Sequence, residues 1–207
     1  MKSIGIIGSG IVGVTLANGL SEAGYSVCIG SNTKPTVEGW NGTVGLFKNV
    51  AKESDIVILS VKGTSAEDVV RDLSEVLAGK TVIDTTNPIS DSPPEDGVIE
   101  YFTDTNDSLM ERLQKAAPKA DFVKSFNSVG SAVMVQPKFS AGKPTMFICG
   151  NNAVSKVEVS NILDKLGWES KDLGGVKSAR AIEPLCRLWC IPGFLDNKWD
   201  HAFKFLS

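Results

Sequence analysis

The chain has 207 residues, 42% of them hydrophobic and 22% charged, with a formal net charge of -3. That size and balance fit one globular domain with a proper core, or one domain with a small appendage. No basic cluster marks a nucleic-acid or anionic-membrane surface, and no apolar run reaches the ~18 residues of a membrane span, so neither partner is expected.

The first apolar run, Ile4-Gly5-Ile6-Ile7, is short and β-branched, as suits a strand buried on both faces. Gly8-Ser9-Gly10-Ile11-Val12-Gly13 follows at once, and the stretch from Ile11 to Ala23 places Val12, Leu16, Gly19 and Leu20 at helical spacing before Gly24. A G-x-G-x-x-G between strand and helix is a dinucleotide signature: Gly8 permits the tight turn, Gly10 admits a pyrophosphate, and Gly13 lets helix and strand approach. The phosphates would rest on free N–H groups at the positive end of the helix. The N-terminal stretch could pass for a signal peptide, but its glycines fit the nucleotide turn better.

Ser26-Val27-Cys28-Ile29-Gly30 is the second strand and completes a β-α-β unit. Residues 31 to 53 read as loops around one short helix. Asp55 to Ser60 is a third strand, and Ser65 to Leu77 a helix capped by Ser65 with Asp68 three residues on. Thr81-Val82-Ile83-Asp84 is a fourth strand, ending in Thr85-Thr86-Asn87-Pro88; residues 89 to 103, with Pro93-Pro94 and Gly97, read as a surface loop. A helix from Ser108 to Ala117, a strand from Asp121 to Phe126, a strand from Pro144 to Cys149, a helix from Val154 to Leu166, a short strand from Trp168 to Leu173 and an apolar helix from Val176 to Cys190 complete the chain. Such alternation forces right-handed crossovers, which makes the fold class α/β: a Rossmann-type, doubly wound, mostly parallel sheet. The expected organisation is one NAD(P)-binding domain over residues 1–207, with a C-terminal helical extension from about residue 151.

An acidic residue about 20 positions after the glycines holds the ribose 2′-hydroxyl of NAD. Here the second strand runs into Ser31-Asn32-Thr33-Lys34, with no carboxylate before Glu38. Hydroxyls, an amide and a lysine suit a 2′-phosphate, which favours NADP(H), although the same residues could simply form a turn with a solvated lysine. Ligands of open sheets lie beyond the carboxyl ends of the strands, which nominates Ser60-Val61-Lys62, Asn87-Pro88 and Asn127-Ser128. Asn87 and Asn127 can each offer donor and acceptor to a carboxamide or carbonyl.

His201, the only histidine, lies in the tail, which rules out a His-based triad at the glycine turn. No metal-ligand spacing recurs, and Cys186 and Cys190, four apart, lack further ligands around them; all four cysteines read as reduced thiols of a cytoplasmic protein. Asp84 could donate a proton at a strand end or cap a turn. Sparse acid–base groups fit direct hydride transfer between two bound molecules.

The motifs I-G-I-I-G-S-G-I-V-G, G-S-N, D-T-T-N-P, V-K-S-F-N-S and the C-terminal W-E-S-K-D-L-G-G-V-K-S-A-R-A-I-E-P-L together resemble the NADPH-dependent reductases of the deazaflavin coenzyme F-420 and their bacterial relatives. Animal ferric reductases share that nucleotide-binding half and add a membrane domain. The resemblance implies an NADP-dependent oxidoreductase, with Ser9, Ile11 and Val12 at the pyrophosphate and Ser31, Asn32 and Lys34 at the 2′-phosphate. It also implies Ser60 and Val61 beside the adenosine and diphosphate, and Asn87, Pro88 and Asn127 near the nicotinamide. The acceptor is left among a deazaflavin, a flavin and a small carbonyl or imine compound, to be oriented by Asn127 and Ser128. Its expected cleft lies between Asn87-Pro88, the 89–103 loop and Ser128 to Val135, floored by Val129, Gly130, Ala132, Val133 and Met134. Two alternatives stay open: a non-catalytic NADP(H) sensor, and an imine reductase resembling the pyrroline-carboxylate reductases, which continue into a longer helical region. The last helix, through Ala179, Ile182, Leu185, Leu188 and Trp189, is expected either to form a homodimer or to cover the sheet edge.

Overall fold

The computed structural model describes residues 2–206. The apolar runs become β1 (Ser3–Ile7), β2 (Ser26–Gly30), β4 (Ile56–Leu59), β5 (Thr81–Asp84) and β6 (Asp121–Lys124), joined by β3 (Thr43–Gly45) at one edge. All six are parallel in the order β3-β2-β1-β4-β5-β6, the order of a dinucleotide-binding sheet.

Side chains alternate across this sheet. Ile56, Ile58, Ile83 and Val123 enter one core with Leu16 and Leu20 of α1 (Ile11–Glu22) and Ile162 and Leu163 of α5 (Ala153–Lys165). Val57, Leu59, Val82 and Phe122 enter the other, with Val50 of α2 (Phe47–Glu53), Leu73 of α3 (Gly63–Leu77) and Leu113 of α4 (Leu109–Ala116). The sheet is therefore covered on both faces, which is why its strands read as unbroken apolar runs.

Several expected elements differ. The stretch from 31 to 53 holds its one helix but also β3, whose three residues carry too short a pattern to read. The helix expected from Ser65 begins at Gly63, and the N-cap residue Lys62 makes no side-chain cap bond. A Cβ at Gly63 would lie 1.9 Å from the Asn87 carbonyl oxygen, so α3 starts where only glycine fits beneath the Asn87 turn. The runs at 144–149 and 168–173 form β7 (Thr145–Ile148) and β8 (Glu169–Asp172), which make their own two-stranded sheet. One antiparallel bridge, Lys124 to Cys149, connects it to β6.

The last helix is α6 (Ala179–Asp196), after a 3₁₀ turn at Val176–Ser178; it runs six residues past Cys190 and contains Pro184 and Pro192. Beyond Pro192 the helix is held by packing: Gly193 leaves room for the Trp199 ring, where a Cβ would come within 2.3 Å. Of the residues expected on a dimer face, Ala179, Ile182 and Trp189 are instead buried within the chain, whereas Leu188 is 56% exposed. The 89–103 segment is likewise more than a surface loop. Bridges Ile89–Tyr101 and Glu95–Val98 fold it back on itself, and Ile99 is buried against Cys186, Trp189 and Cys190.

Gly13 packs its α-carbon onto the glycine turn, where a Cβ would approach the Gly8 carbonyl oxygen to 2.3 Å. Gly13→Ala is expected to lower stability by about 1–3 kcal/mol, the usual cost of overpacking, measured from the denaturant midpoint.

Candidate cofactor and acceptor site

The order of the sheet reverses between β1 and β4, and both strands end at one crevice, the place where open α/β sheets bind ligands. Gly8 adopts φ +127° beneath Ser60, whose carbonyl oxygen would stand 2.4 Å from an added Cβ. The Ser60 hydroxyl donates to the Ile7 and Gly8 carbonyls at 3.4 Å, so Ser60 ties β4 to the turn. Gly10, the N-cap position of α1, has nothing within 4 Å of a Cβ position and no side-chain cap bond. Gly8 and Gly13 are closed by packing while Gly10 faces open space, the arrangement a pyrophosphate requires. Ile11 stands 73% exposed beside that opening, with Val12 half-buried.

At the end of β2, a cavity of about 380 Å³ is lined by Ser31, Asn32, Thr33, Lys34, Pro35, Val44, Gly45 and Leu46. No carboxylate lines it. Ser31 is buried, its hydroxyl accepting from the Lys34 backbone N–H at 3.0 Å and lying 3.5 Å from the Ser9 hydroxyl. Asn32 accepts from the Phe47 backbone N–H at 3.0 Å, which leaves its amide N–H₂, the Thr33 hydroxyl and the exposed Lys34 ammonium for a 2′-phosphate.

A second cleft, of about 430 Å³, opens between Val12, Ser60-Val61-Lys62, Gly63-Thr64, Thr85-Thr86-Asn87 and Ile89-Ser90-Asp91. Lys62 and Asp91, both about 80% exposed, face each other across its mouth at 4.0 Å. Pro88 stands outside the lining; its carbonyl accepts from the Phe102 N–H at 2.9 Å and so anchors the 89–103 segment.

Asn87 and Asn127 are brought together as a pair. The Asn87 amide donates to the Asn127 carbonyl at 2.8 Å, and the Asn127 amide donates to Asn87 Oδ1 at 3.1 Å and to the Ile182 carbonyl at 3.0 Å. Of the pair Asn87 is the one that lines the cleft, and Asn127 Oδ1 is buried without a hydrogen-bond partner. Phe126 sets up this position with φ +58°, rare for a bulky residue, which turns the chain sharply off β6. The expected acceptor floor is open only in part: Ala132 is exposed, and Gly130 and Val133 are half-buried. Ser128, Val129 and Met134 are buried, and a Cβ at Gly130 would lie 2.5 Å from the Trp189 ring, because α6 and the tail cover this segment. Gly130 is therefore a packing position.

Beneath the two asparagines lies a buried charge cluster that sequence reasoning missed apart from Asp84. Lys124 is fully buried, with its ammonium 2.6 Å from Asp84, 2.9 Å from Glu183 and donating to the Thr86 carbonyl at 2.8 Å. Asp84 is the turn-capping group rather than a proton donor: Oδ1 accepts from the Thr86 N–H at 2.9 Å and hydroxyl at 2.6 Å. Glu183 accepts from the Leu109 and Met110 N–H groups at 3.0 and 2.9 Å, capping α4 from another helix, where the helix dipole favours negative charge. The available signal was positional. Asp84 and Lys124 are opposite charges at the ends of two apolar strands, and the register pairs them.

Residues 3–88 match the family model described as NADP oxidoreductase, coenzyme F420-dependent, a span from β1 to the turn after β5. Over that span the chain resembles this family. It is similar to rat (Rattus norvegicus) metalloreductase STEAP3, 29% identical over 93% of this chain and 38% of that protein. An F420-dependent NADP reductase of Methanocaldococcus jannaschii is 28% identical over 68% of this chain and 63% of its own length. The chain thus spans little more than a third of the metalloreductase. The solved structure of a proposed F420-dependent NADP reductase from Arthrobacter sp. FB24 superposes with a TM-score of 0.91 at 27% identity, covering 100% of both chains. No helix among the described residues is long and apolar enough to cross a membrane.

Burial alone would lower the Lys124 pKa, but Asp84 and Glu183 together hold it at about 12, above the ordinary 10.5. A raised lysine pKa contributes stability below the unfolded value and loses it as pH rises through the folded one. The cluster's contribution should accordingly hold from neutrality to about pH 10.5 and fall towards pH 12, measured by thermal melts across that range.

Proposed function

We propose that this chain is an NADP(H)-dependent oxidoreductase that moves a hydride between the nicotinamide and a second bound molecule, with a deazaflavin or flavin as the leading acceptor class. The observation that carries this reading is the open space at Gly10 together with a carboxylate-free, lysine-bearing cavity at the end of β2, whose Ser31 hydroxyl lies 3.5 Å from that of Ser9 in the glycine turn. Gly8 to Gly13 would hold the pyrophosphate, Thr33, Lys34 and the Asn32 amide the 2′-phosphate, and Asn127 Oδ1 the nicotinamide carboxamide. The cofactor, when bound, supplies or takes the hydride. The chain's own part is to orient the ring at the Asn87–Asn127 pair and to admit the acceptor from the cleft beside Ile89 to Asp91. A cleft of about 430 Å³ at this end is what a reductase needs and a nucleotide sensor does not.

The similarity to the F420-dependent enzymes, by sequence and by shape, supports the acceptor class. We further propose a cytoplasmic homodimer through the outer side of α6, where Leu188, Phe194 and Leu195 remain exposed. A monomer mass by light scattering at micromolar concentration would overturn the dimer.

Calorimetry at fixed salt should show NADPH binding tighter than NADH by tenfold or more, about 1.4 kcal/mol. Equal or tighter NADH binding would defeat the assignment. Gly10→Val should abolish NADPH binding without shifting the melting temperature, since its side chain meets no protein atom at the first carbon. Oxidation of NADPH screened against deazaflavin, flavins and small imines identifies the acceptor.

A further inference from the structure

Resting on that cofactor reading, we propose that Lys124 is a positioning residue for the nicotinamide end of the site, although it touches neither cofactor nor acceptor. Three bonds from one buried ammonium lead to Asn87, which lines the cleft, and to Asn127, which is bonded to it. On one side Lys124 holds the Thr86 carbonyl directly and Asp84 at 2.6 Å; Asp84 in turn grips the Thr86 N–H and hydroxyl, so the turn that presents Asn87 is bonded from two directions. On the other side Lys124 holds Glu183, and the preceding residue, Ile182, accepts from the Asn127 amide at 3.0 Å. Asn87 and Asn127 then bond each other, which closes the loop of contacts. The one acceptor left over is Asn127 Oδ1, and its direction is set by bonds that all lead back to Lys124.

A purely structural ion cluster would be expected to act on the whole fold. The adenosine cavity of Ser31 to Lys34 lies at the end of β2, separated from β5 by β1 and β4, and shares no residue with the cluster. Positioning by Lys124 therefore acts on one half of the cofactor and spares the other.

Adenosine 2′,5′-bisphosphate probes the adenosine half alone, and the fluorescence of bound NADPH probes the nicotinamide. Lys124→Met should bind the bisphosphate like the parent protein yet lose the bound-NADPH emission change. It should also turn over the acceptor found in the screen with kcat reduced about 10²-fold at little-changed acceptor KM, the scale of an ångström-sized misplacement. Glu183→Gln, which keeps an oxygen for the α4 N–H groups, should show the same split in milder form and serves if the methionine variant does not fold. Equal weakening of both probes in a folded variant, or no change in either, would overturn the proposal. Failure of the parent protein to bind either probe would instead defeat the cofactor reading. If no acceptor is turned over, the fluorescence split still decides the role of Lys124.

Discussion

One ammonium ion without water organises the carboxyl end of this sheet. A lysine with no exposed surface is among the costliest groups a core can hold, and breaking a buried ion pair by removing one partner typically costs about 3–5 kcal/mol. Lys124 is tolerated because it has two carboxylates and a carbonyl, while the excess negative charge is offset by the N-terminus of α4. Each partner belongs to a different element: Asp84 to β5, Thr86 to the turn beyond it, Glu183 to α6. The cluster thus joins the parallel sheet, the turn that carries Asn87 and the C-terminal helix at a single point. Hydrophobic contact alone would let those parts slide; paired charges with directed hydrogen bonds do not.

The opposite end of the crevice works by absence. Gly8 and Gly13 are required because neighbouring backbone occupies the space of a side chain, whereas Gly10 is required to leave space unfilled. The same residue type thus serves two physical purposes within one motif. Gly63 adds a third close approach, against the Asn87 carbonyl, and brings the start of α3 under the turn that borders the cleft. The crevice is accordingly narrow in its protein frame and open only where a ligand would lie.

Similarity to known proteins extends over both halves of the chain, 93% of it against the metalloreductase and all of it against the Arthrobacter structure. The family match alone ends at residue 88, in the turn after β5. The later half adds β6, the folded-back 89–103 segment and α6. There Trp189 packs against Gly130, while Ser128, Val129 and Met134 are buried and Ala132 is exposed. The open cleft is instead walled by Ile89 to Asp91 and Lys62, with Val12 of the glycine motif on its inner side.

Local pattern determined the strands, the dinucleotide turn and the two-sided cover of the sheet, because a buried parallel strand and a G-x-G-x-x-G are each specified within a few consecutive residues. That Asn87 and Asn127 sit at strand ends was also legible, since parallel strands end at one edge of the sheet, and the structure bonds the two together. What stayed hidden depends on contacts distant in sequence. The start of α3 follows from the Asn87 carbonyl rather than from Ser65, and β7 leaves the main sheet to pair with the polar β8 although its own pattern resembles the main strands. The buried partnership of Asp84, Lys124 and Glu183 joins positions far apart in the chain. No local rule makes a lone lysine at a strand end a core residue; only its two distant carboxylates do, and tertiary structure alone brings all three within bonding distance.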